Sequence, residues 1–129
     1  MKHLLIILLL ILIPLTANAE RDIPGVWYEK GNQWDKDEVT MEIVWQALHI
    51  MDWYQTRQIV DDPNYWEMNP LIGKDPTRGQ VNSWMAGFAV GHLVTSHFLP
   101  KEYKKWFQGI SLGAKGATVI WNYRVGLKF

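Results

Sequence analysis

The sequence predicts an all-α protein: an N-terminal signal peptide followed by three long antiparallel helices in a small membrane-type bundle. Each predicted helix carries one narrow polar stripe at three- and four-residue spacing on a broad apolar background. A helix of a water-soluble protein has the opposite balance, with an apolar stripe facing the core. The three helices are also nearly equal in length, at about 23–26 residues or roughly 35–39 Å, which matches a bilayer with its interfaces.

The first element is predicted to be a signal peptide over residues 1–19. A short basic start precedes an apolar run from Leu4 to Leu15, and Ala17 and Ala19 form a small-x-small cleavage site. The apolar run is about a dozen residues long, whereas a spanning helix needs roughly 20. We therefore expect cleavage after Ala19, with a retained anchor as the alternative, and export of the chain in either case.

Residues 20–35 show no helical periodicity and are predicted to be an extended segment, leaving 36–129 as the three-helix domain. The first helix is expected to begin at Asp35 or Asp37, since either can cap it. It should end near Val60, because the residue before Pro63 resists helical geometry.

The second and third helices are marked by prolines. Asp75-Pro76 is expected to open the second helix, with an acidic N-cap followed by proline at the first helical position, and this helix should run to about Phe98. Pro100 should start the third helix almost at once, and that helix should reach about Val125. Both helices carry small residues at every fourth position, a pattern that lets membrane helices approach closely.

Composition excludes several classes of function. The formal net charge is zero, so there is no electrostatic case for nucleic acid as a partner. The absence of cysteine excludes a disulfide framework, thiol catalysis and Cys-ligated zinc. Eight Trp and five Tyr suit a membrane interface, where amphipathic rings lie at headgroup depth, but they also suit a sugar-binding surface.

The polar stripes of the three helices are expected to meet in the interior. We call these residues the polar seam: Gln46, His49, Asp52, Thr56, Asn82, His92, Gln108, Ser111, Lys115, Thr118 and Asn122. A tight turn between the second and third helices allows residue heights to be matched by helical rise. The matched heights give four layers, which are Gln46 with His92 and Gln108, His49 with Ser111, Asp52 with Lys115, and Thr56 with Asn82 and Thr118.

Asp52 and Lys115 form the clearest of these predicted contacts. An unpaired charge at membrane depth costs several kcal/mol, about 2.5–3.5 on insertion scales, whereas a matched pair facing the bundle interior is tolerated. The seam has three interpretations that the sequence leaves open: hydrogen bonds that hold the helices together, a proton or ion relay using His49 and His92, or a metal site. For a metal, the candidate ligands are His49, Asp52 and His92, since His/Asp sets suit zinc or iron.

The connector after the first helix contains a second polar group, comprising Glu67, Asn69, Pro70 and Gly73. Asn-Pro and Gly form turns, so this segment is expected to be a helix–helix corner. Asp52-x-x-x-Thr56 followed by Glu67-x-Asn69-Pro70-Leu71 resembles a pattern in small, uncharacterised bacterial and phage membrane proteins. The resemblance covers about residues 46–73 and implies a membrane location, but it implies no activity.

These observations predict a small exported membrane protein of structural or partner-binding role, located in the bacterial inner membrane, and not an enzyme. Membrane lipid is the expected partner, with a membrane protein or a second copy as further partners, and no cofactor is expected. Against this, Glu42, Asp52 and Arg57 place charges within the first helix. Two alternatives therefore remain: a periplasmic Trp-rich binding or accessory module, and an intramembrane metal- or proton-dependent enzyme or transport subunit.

Overall fold

A computed structural model of the chain describes residues 33–128. The part described consists of three α-helices joined by a connector and a short turn, with no β-strand among these residues. The all-α class and the three-helix bundle predicted from the sequence are therefore confirmed. The predicted signal peptide (1–19) and most of the predicted extended segment (20–35) lie outside the described residues.

Helix α1 spans Lys36–Asp61 and begins with a complete capping box. The Asp35 side chain accepts hydrogen bonds from the backbone N–H groups of Asp37 and Glu38, both at 3.0 Å. In return, the Glu38 carboxylate accepts from the Asp35 N–H at 2.9 Å. Asp35 is thus the cap, one of the two candidates expected, and the helix ends just before Asp62-Pro63 as its sequence predicts.

Helix α2 spans Arg78–Phe98, and its predicted start at Asp75-Pro76 is wrong. Thr77 is the N-cap, because its hydroxyl accepts from the Gln80 N–H at 3.2 Å while the Gln80 side chain accepts from the Thr77 N–H at 2.8 Å. A reciprocal capping box satisfies two backbone donors, which outweighs the advantage of proline at the first helical position.

Helix α3 spans Lys101–Arg124, with Pro100 as its N-cap residue, close to the predicted bounds. The chain then turns through Gly126, whose φ of 105° lies in the left-handed region. This turn directs Leu127 back into the bundle, where it is buried. The third helix therefore ends in a glycine turn with an apolar residue behind it, a common helix terminus.

Helix α1 is the centre of the bundle, since it packs against both α3 and α2, whereas α2 and α3 make few contacts with each other. The apolar core is small. One cluster, formed by Ile72, Val81 and Met85, lies beside the connector, with Trp53 and Phe88 packed against it. Most of the fully buried side chains are instead polar or charged.

The glycines of the small-residue stripes do not lie where the sequence suggests. A Cβ added at Gly87 or Gly91 on α2, or at Gly109 or Gly113 on α3, would meet nothing within 4 Å. These glycines therefore do not provide close approach between the helices of this chain. The close approaches are made by polar side chains on the opposite faces of the same helices.

Hydropathy gives no support to the predicted transmembrane helices. Among the helices of residues 33–128, none contains a segment that is both long enough and apolar enough to cross a membrane. Each helix has sufficient length, but interior polar residues such as Glu42, His49 and Asp52 on α1 lower its apolar content.

Candidate functional site: a polar interior

The interior face of α1 contributes most of the buried polar side chains of the site. Buried side chains recur along it every three or four residues, which places them on one face of the helix. Seven of them are polar or charged: Glu38, Glu42, Gln46, His49, Asp52, Gln55 and Thr56. Four of these belong to the predicted polar seam, and three, Glu38, Glu42 and Gln55, do not. Extending the predicted spacing towards the start of the helix by one turn reaches Glu42 and by two turns reaches Glu38, and Gln55 lies within the predicted span, three residues after Asp52.

Glu42 is the centre of the largest hydrogen-bond network, although it is not part of the predicted polar seam. Its carboxylate is 1 % exposed and accepts from Gln46 Nε2 at 2.8 Å and Ser96 Oγ at 3.0 Å. It also contacts Gln108 Nε2 at 3.4 Å and His92 Nδ1 at 3.0 Å. Since donors from all three helices converge on one carboxylate, Glu42 joins the bundle together.

His92 is held in place on every side. Its Nε2 lies 2.7 Å from Ser111 Oγ, and the Ser111 hydroxyl also lies 3.1 Å from the Gln108 carbonyl oxygen. The imidazole is stacked on Trp45, with ring centroids 3.7 Å apart and planes at 7°, and on Phe107 at 4.8 Å. Gln46, His92 and Gln108, which were predicted to share a layer, thus all meet at Glu42.

The sequence of contacts Ser111–His92–Glu42 matches the order of groups in a serine-hydrolase triad. However, Ser111 lies in the middle of α3, where the neighbouring backbone N–H groups are occupied by helical hydrogen bonds. Those groups cannot stabilise an oxyanion as the free backbone donors of a hydrolase do. The arrangement is therefore better suited to holding or moving a proton than to acyl transfer.

His49 occupies the next level and is fully buried. Its Nε2 donates to the Met85 carbonyl oxygen on α2 at 2.8 Å, because a carbonyl can only accept. Its Nδ1 has no hydrogen-bond partner in the structure, and the ring lies against Trp45 at 4.8 Å. A protonated Nδ1 would be a buried donor without an acceptor, so this geometry favours the neutral imidazole. Ser111, predicted to share this level, bonds to His92 instead.

Asp52 and Lys115 form the ion pair that the sequence predicts. Lys115 Nζ on α3 lies 2.8 Å from Asp52 Oδ2 on α1, and Asn122 Nδ2 donates to the other carboxylate oxygen at 3.0 Å. The ammonium group also lies 5.5 Å from the Trp45 ring, within range for a cation–π interaction. Both oxygens of the buried carboxylate are therefore satisfied, which offsets the cost of removing the charges from water.

The predicted fourth layer is not assembled. Thr56 is buried, but Asn82 and Thr118 are exposed. Asn82 accepts from Trp53 Nε1 at 2.9 Å, and the Thr118 hydroxyl donates to the Ala114 carbonyl of its own helix at 3.1 Å. Gln55 takes their place between α1 and α3, since it is fully buried and donates to the Val119 carbonyl oxygen at 3.2 Å.

The connector is a tightly bonded corner, as its turn-forming residues predict. Glu67 accepts from the Asn69 N–H at 2.7 Å, and Asn69 accepts through its side chain from the Leu71 N–H at 3.0 Å. Gly73 closes the turn with a φ of 92°. Burial raises the pKa of the Glu67 carboxyl above its ordinary value, and the nearby negative charge of Asp52 raises it further.

The candidate metal ligands are not brought together. Between residues 33 and 128, no three His, Cys, Asp or Glu side chains form a group that could hold a metal ion. His49 and His92 bond to Met85 and Glu42, and Asp52 bonds to Lys115. The described structure therefore does not bring His49, Asp52 and His92 together as a metal site, and each of them has a hydrogen bond or ion pair to a different residue.

Comparison with known proteins adds no relative to this description. No family model, curated protein or solved structure matches the chain significantly. The feature of the bundle that bears on function is its polar interior, which has two hydrogen-bonded groups, one centred on Glu42 and one on Asp52.

Proposed function

We propose that this chain is a small membrane protein of structural role, embedded in lipid through its outer surface and held together by its polar interior. The observation that supports this is the distribution of charge along the bundle. We call residues 39–56 of α1, 79–96 of α2 and 106–123 of α3 the central band, which is about 27 Å long at 1.5 Å per residue. This length is close to the hydrocarbon thickness of a bilayer, roughly 30 Å.

Every Asp, Glu, Lys and Arg of the central band faces inwards. These residues are Glu42 and Asp52, exposed by 1 % and 5 %, and Lys115, whose side chain is 16 % exposed. All other charged residues between 33 and 128 lie within five residues of a helix end or in the connecting segments. An arrangement of this kind is expected where the outer surface faces hydrocarbon, since a charge at that depth is tolerated only inside a bundle.

The outer surface of the central band has no exposed charged side chain and is mainly apolar. The uncharged polar residues exposed on it are Thr40, Gln80, Asn82, Ser83, Thr95 and Thr118. Large exposed apolar residues occur on all three helices: Ile43, Val44, Trp84, Val90, Val94, Trp106, Ile110, Ile120 and Trp121. Exposed apolar residues on all three helices are more widely distributed than a single protein-docking patch requires. Tyr103 and Tyr123 are exposed near the two ends of α3, where amphipathic rings suit the headgroup region.

The low hydropathy of the individual helices is compatible with this proposal. Mean hydropathy counts every residue of a helix, whichever way its side chain faces. In this bundle the residues that lower it, such as Glu42, His49 and Asp52, are buried between helices and do not contact the surroundings. Hydrogen bonds between such residues stabilise membrane helix pairs by about 0.6–2 kcal/mol each.

Flotation of the full-length protein with vesicles of phosphatidylcholine and phosphatidylglycerol tests the proposal. We expect the protein to float with the lipid and to resist extraction by alkaline carbonate. Val90→Lys, which places a charge on the outer surface of the central band, should reduce the floating fraction several-fold. Glu102→Lys, at the exposed start of α3, is the matched control and should float like the wild type.

Release of the wild-type protein by carbonate would contradict the membrane proposal. That result would favour the second class of function, a periplasmic Trp-rich accessory module. Such a module would use exposed aromatic residues, of which Trp66 and Trp106 are the most accessible Trp side chains described, at 61 % and 73 % exposure.

A further inference from the structure

The hydrogen bonds around His92 indicate which of its ring nitrogens carry a proton. Its Nδ1 lies 3.1 Å from Oε1 and 3.0 Å from Oε2 of Glu42. Its Nε2 lies 2.7 Å from the Ser111 hydroxyl oxygen. The single proton of that hydroxyl is directed at the Gln108 carbonyl oxygen, 3.1 Å away, since a carbonyl can only accept. Towards the imidazole the hydroxyl oxygen is therefore an acceptor, and Nε2 is the donor.

The Glu42 carboxylate has the surroundings of an ionised group. Besides His92, three donors converge on it: Gln46 Nε2 at 2.8 Å, Ser96 Oγ at 3.0 Å and Gln108 Nε2 at 3.4 Å. Hydrogen bonds donated to a carboxyl group favour its charged form. Because the side chain is 1 % exposed, the negative charge needs a cation in contact with it.

His92 is the base that contacts this carboxylate. The other cation of the central band, Lys115, is bonded to Asp52. His49 lies within electrostatic range of His92, but it bonds to a backbone carbonyl through Nε2 and has no partner on Nδ1. Within residues 33–128, a positive charge beside Glu42 must therefore come from the imidazole of His92.

The aromatic contacts of His92 are suited to a positive charge. Trp45 of α1 stacks on the imidazole with ring centroids 3.7 Å apart, and Phe107 of α3 stacks on it at 4.8 Å. A cation over an aromatic ring within about 6 Å is attracted by the electron-rich face. The groups of α3 that contact the imidazole, Phe107 and Ser111, cannot titrate near neutral pH, so Glu42 is the charged group in contact with it.

We infer that His92 is an imidazolium in the folded protein, protonated on both ring nitrogens, and that its buried ion pair with Glu42 is a pH-sensitive link between α2 and the other two helices. With the proton present, Nδ1–H donates to α1 and Nε2–H donates to α3. Loss of the proton as the pH rises would leave the Glu42 charge buried without a counter-charge, which weakens the packing of α2. The ion pair would form in lipid or in water, so its test is independent of the membrane proposal.

Nitrogen-15 NMR of the full-length protein in detergent micelles tests the protonation of His92. Chemical shifts distinguish a ring nitrogen that carries a proton from one that does not, and the His92 signals are assigned through its own backbone. An ordinary histidine, with a pKa of about 6.5, is neutral at pH 8. At this pH we expect protons on both nitrogens of His92 and on only one nitrogen of two internal controls, buried His49 and exposed His97.

The pH dependence of unfolding tests the link between the helices. His92→Gln keeps a donor and an acceptor but cannot carry a charge. We expect the wild type to unfold several degrees above this variant at pH 6, and the difference should shrink by at least half at pH 9. The direction follows because stability that depends on a proton held in the folded state is lost as the pH rises. For the matched control His97→Gln, the difference from the wild type should not shrink in this way.

An unprotonated Nε2 on His92 at pH 8 in the folded protein would overturn the imidazolium, because the ring would then be a neutral acceptor for the Ser111 hydroxyl. A difference between the wild type and His92→Gln that stays constant from pH 6 to pH 9 would overturn the pH-sensitive link. If His92→Gln fails to fold, the wild-type spectrum at pH 8 still decides the charge of His92. Neither measurement depends on flotation, so a failure here is distinguishable from a failure of the membrane proposal.

Discussion

Lys115 Nζ on α3 lies 2.8 Å from Asp52 Oδ2 on α1, in an interior where the aspartate is almost fully buried. This contact joins the two helices that pack most extensively. Because both charges are removed from water, the loss of either partner leaves the other buried and unmatched. Substituting Asp52 or Lys115 therefore tests whether the two side chains interact in the interior as the structure shows.

Asp52→Ala should lower the free energy of unfolding by about 3–5 kcal/mol, because it leaves the Lys115 ammonium without its carboxylate. The double variant Asp52→Ala with Lys115→Ala should lose much less than the sum of the two single variants. Unfolding of all three variants in detergent measures the coupling. Strictly additive losses would show that the two residues do not interact in the folded protein.

Glu42 should be the most sensitive position of the larger network. Glu42→Leu would leave the donors of Gln46, His92 and Ser96 without their shared acceptor, and we expect a loss of about 3–5 kcal/mol. Glu42→Gln keeps one acceptor oxygen and should lose clearly less. Denaturant or detergent unfolding of both variants gives the comparison; equal losses would mean that side-chain volume, and not the carboxylate, matters at this position.

The capping carboxylate of Asp35 should make stability depend on pH in acid. Hydrogen bonding to the Glu38 N–H, followed by the interaction with Lys105, lowers its pKa to about 2. Because the unfolded value is near 3.8, its contribution is present above that pH and is lost as the pH falls through about 2.

Asp35→Asn, which can still cap α1, should therefore flatten this part of the stability curve. The measurement is the unfolding temperature of the variant and of the wild type between pH 5 and pH 2. The difference between the two removes the contribution of the other carboxylates, which both proteins share. A difference that does not change with pH would contradict the lowered pKa.

Glu67 should have the opposite pH dependence. Its folded pKa is raised, mainly by burial, so the folded state holds its proton more tightly than the unfolded state. Stability should then fall as the pH rises above the ordinary glutamate value of 4.5. Glu67→Gln retains the acceptor for the Asn69 N–H and has no charge to bury, so it should remove this decline; a variant with an unchanged pH profile would refute the assignment.

Gly73 and Gly126 both have a positive φ but differ in their surroundings, so their substitution by alanine can be compared. A Cβ at Gly73 would meet nothing within 4 Å, so Gly73→Ala should cost only the backbone strain of about 1–2 kcal/mol. A Cβ at Gly126 would lie 2.7 Å from the Tyr65 hydroxyl oxygen, which itself lies 3.1 Å from the Val125 carbonyl oxygen. Gly126→Ala should therefore be the more destabilising of the two in thermal unfolding. Equal losses would indicate that Tyr65 moves aside without cost.

Much of the bundle could be predicted from local sequence signals. Proline and capping residues act within a turn, so the sequence predicts the end of α1 near Asp62-Pro63 and the start of α3 at Pro100. It restricts the cap of α1 to Asp35 or Asp37, and the structure selects Asp35. The sequence does not determine the start of α2, because Asp75-Pro76 and Thr77 are both suitable N-terminal signals for a helix. The reciprocal hydrogen bonds between Thr77 and Gln80 decide between them, because they satisfy two backbone donors at once.

The sequence predicts that polar side chains line the interior of the bundle, but the predicted set does not include Glu42, which is the centre of the largest hydrogen-bond network. The three- and four-residue spacing identifies His49, Asp52 and Lys115, but the same spacing includes Glu42, which was set aside as an obstacle to a membrane location. Whether a charge is an obstacle depends on which way its side chain faces. Asn82 and Thr118 are the converse case, since both are polar residues at the predicted spacing and both are exposed in the structure.

Glu42 and Asp52 lie on the first helix of the bundle, yet their partners follow much later in the chain. His92 is 50 residues beyond Glu42, and Lys115 is 63 residues beyond Asp52. During synthesis at about 5–20 residues per second, α1 therefore exists for several seconds before its charges can be neutralised. Over that interval the Glu42 and Asp52 side chains lack their partners and remain solvated. In the proposed membrane location, α1 would therefore enter the bilayer together with α3, and not ahead of it.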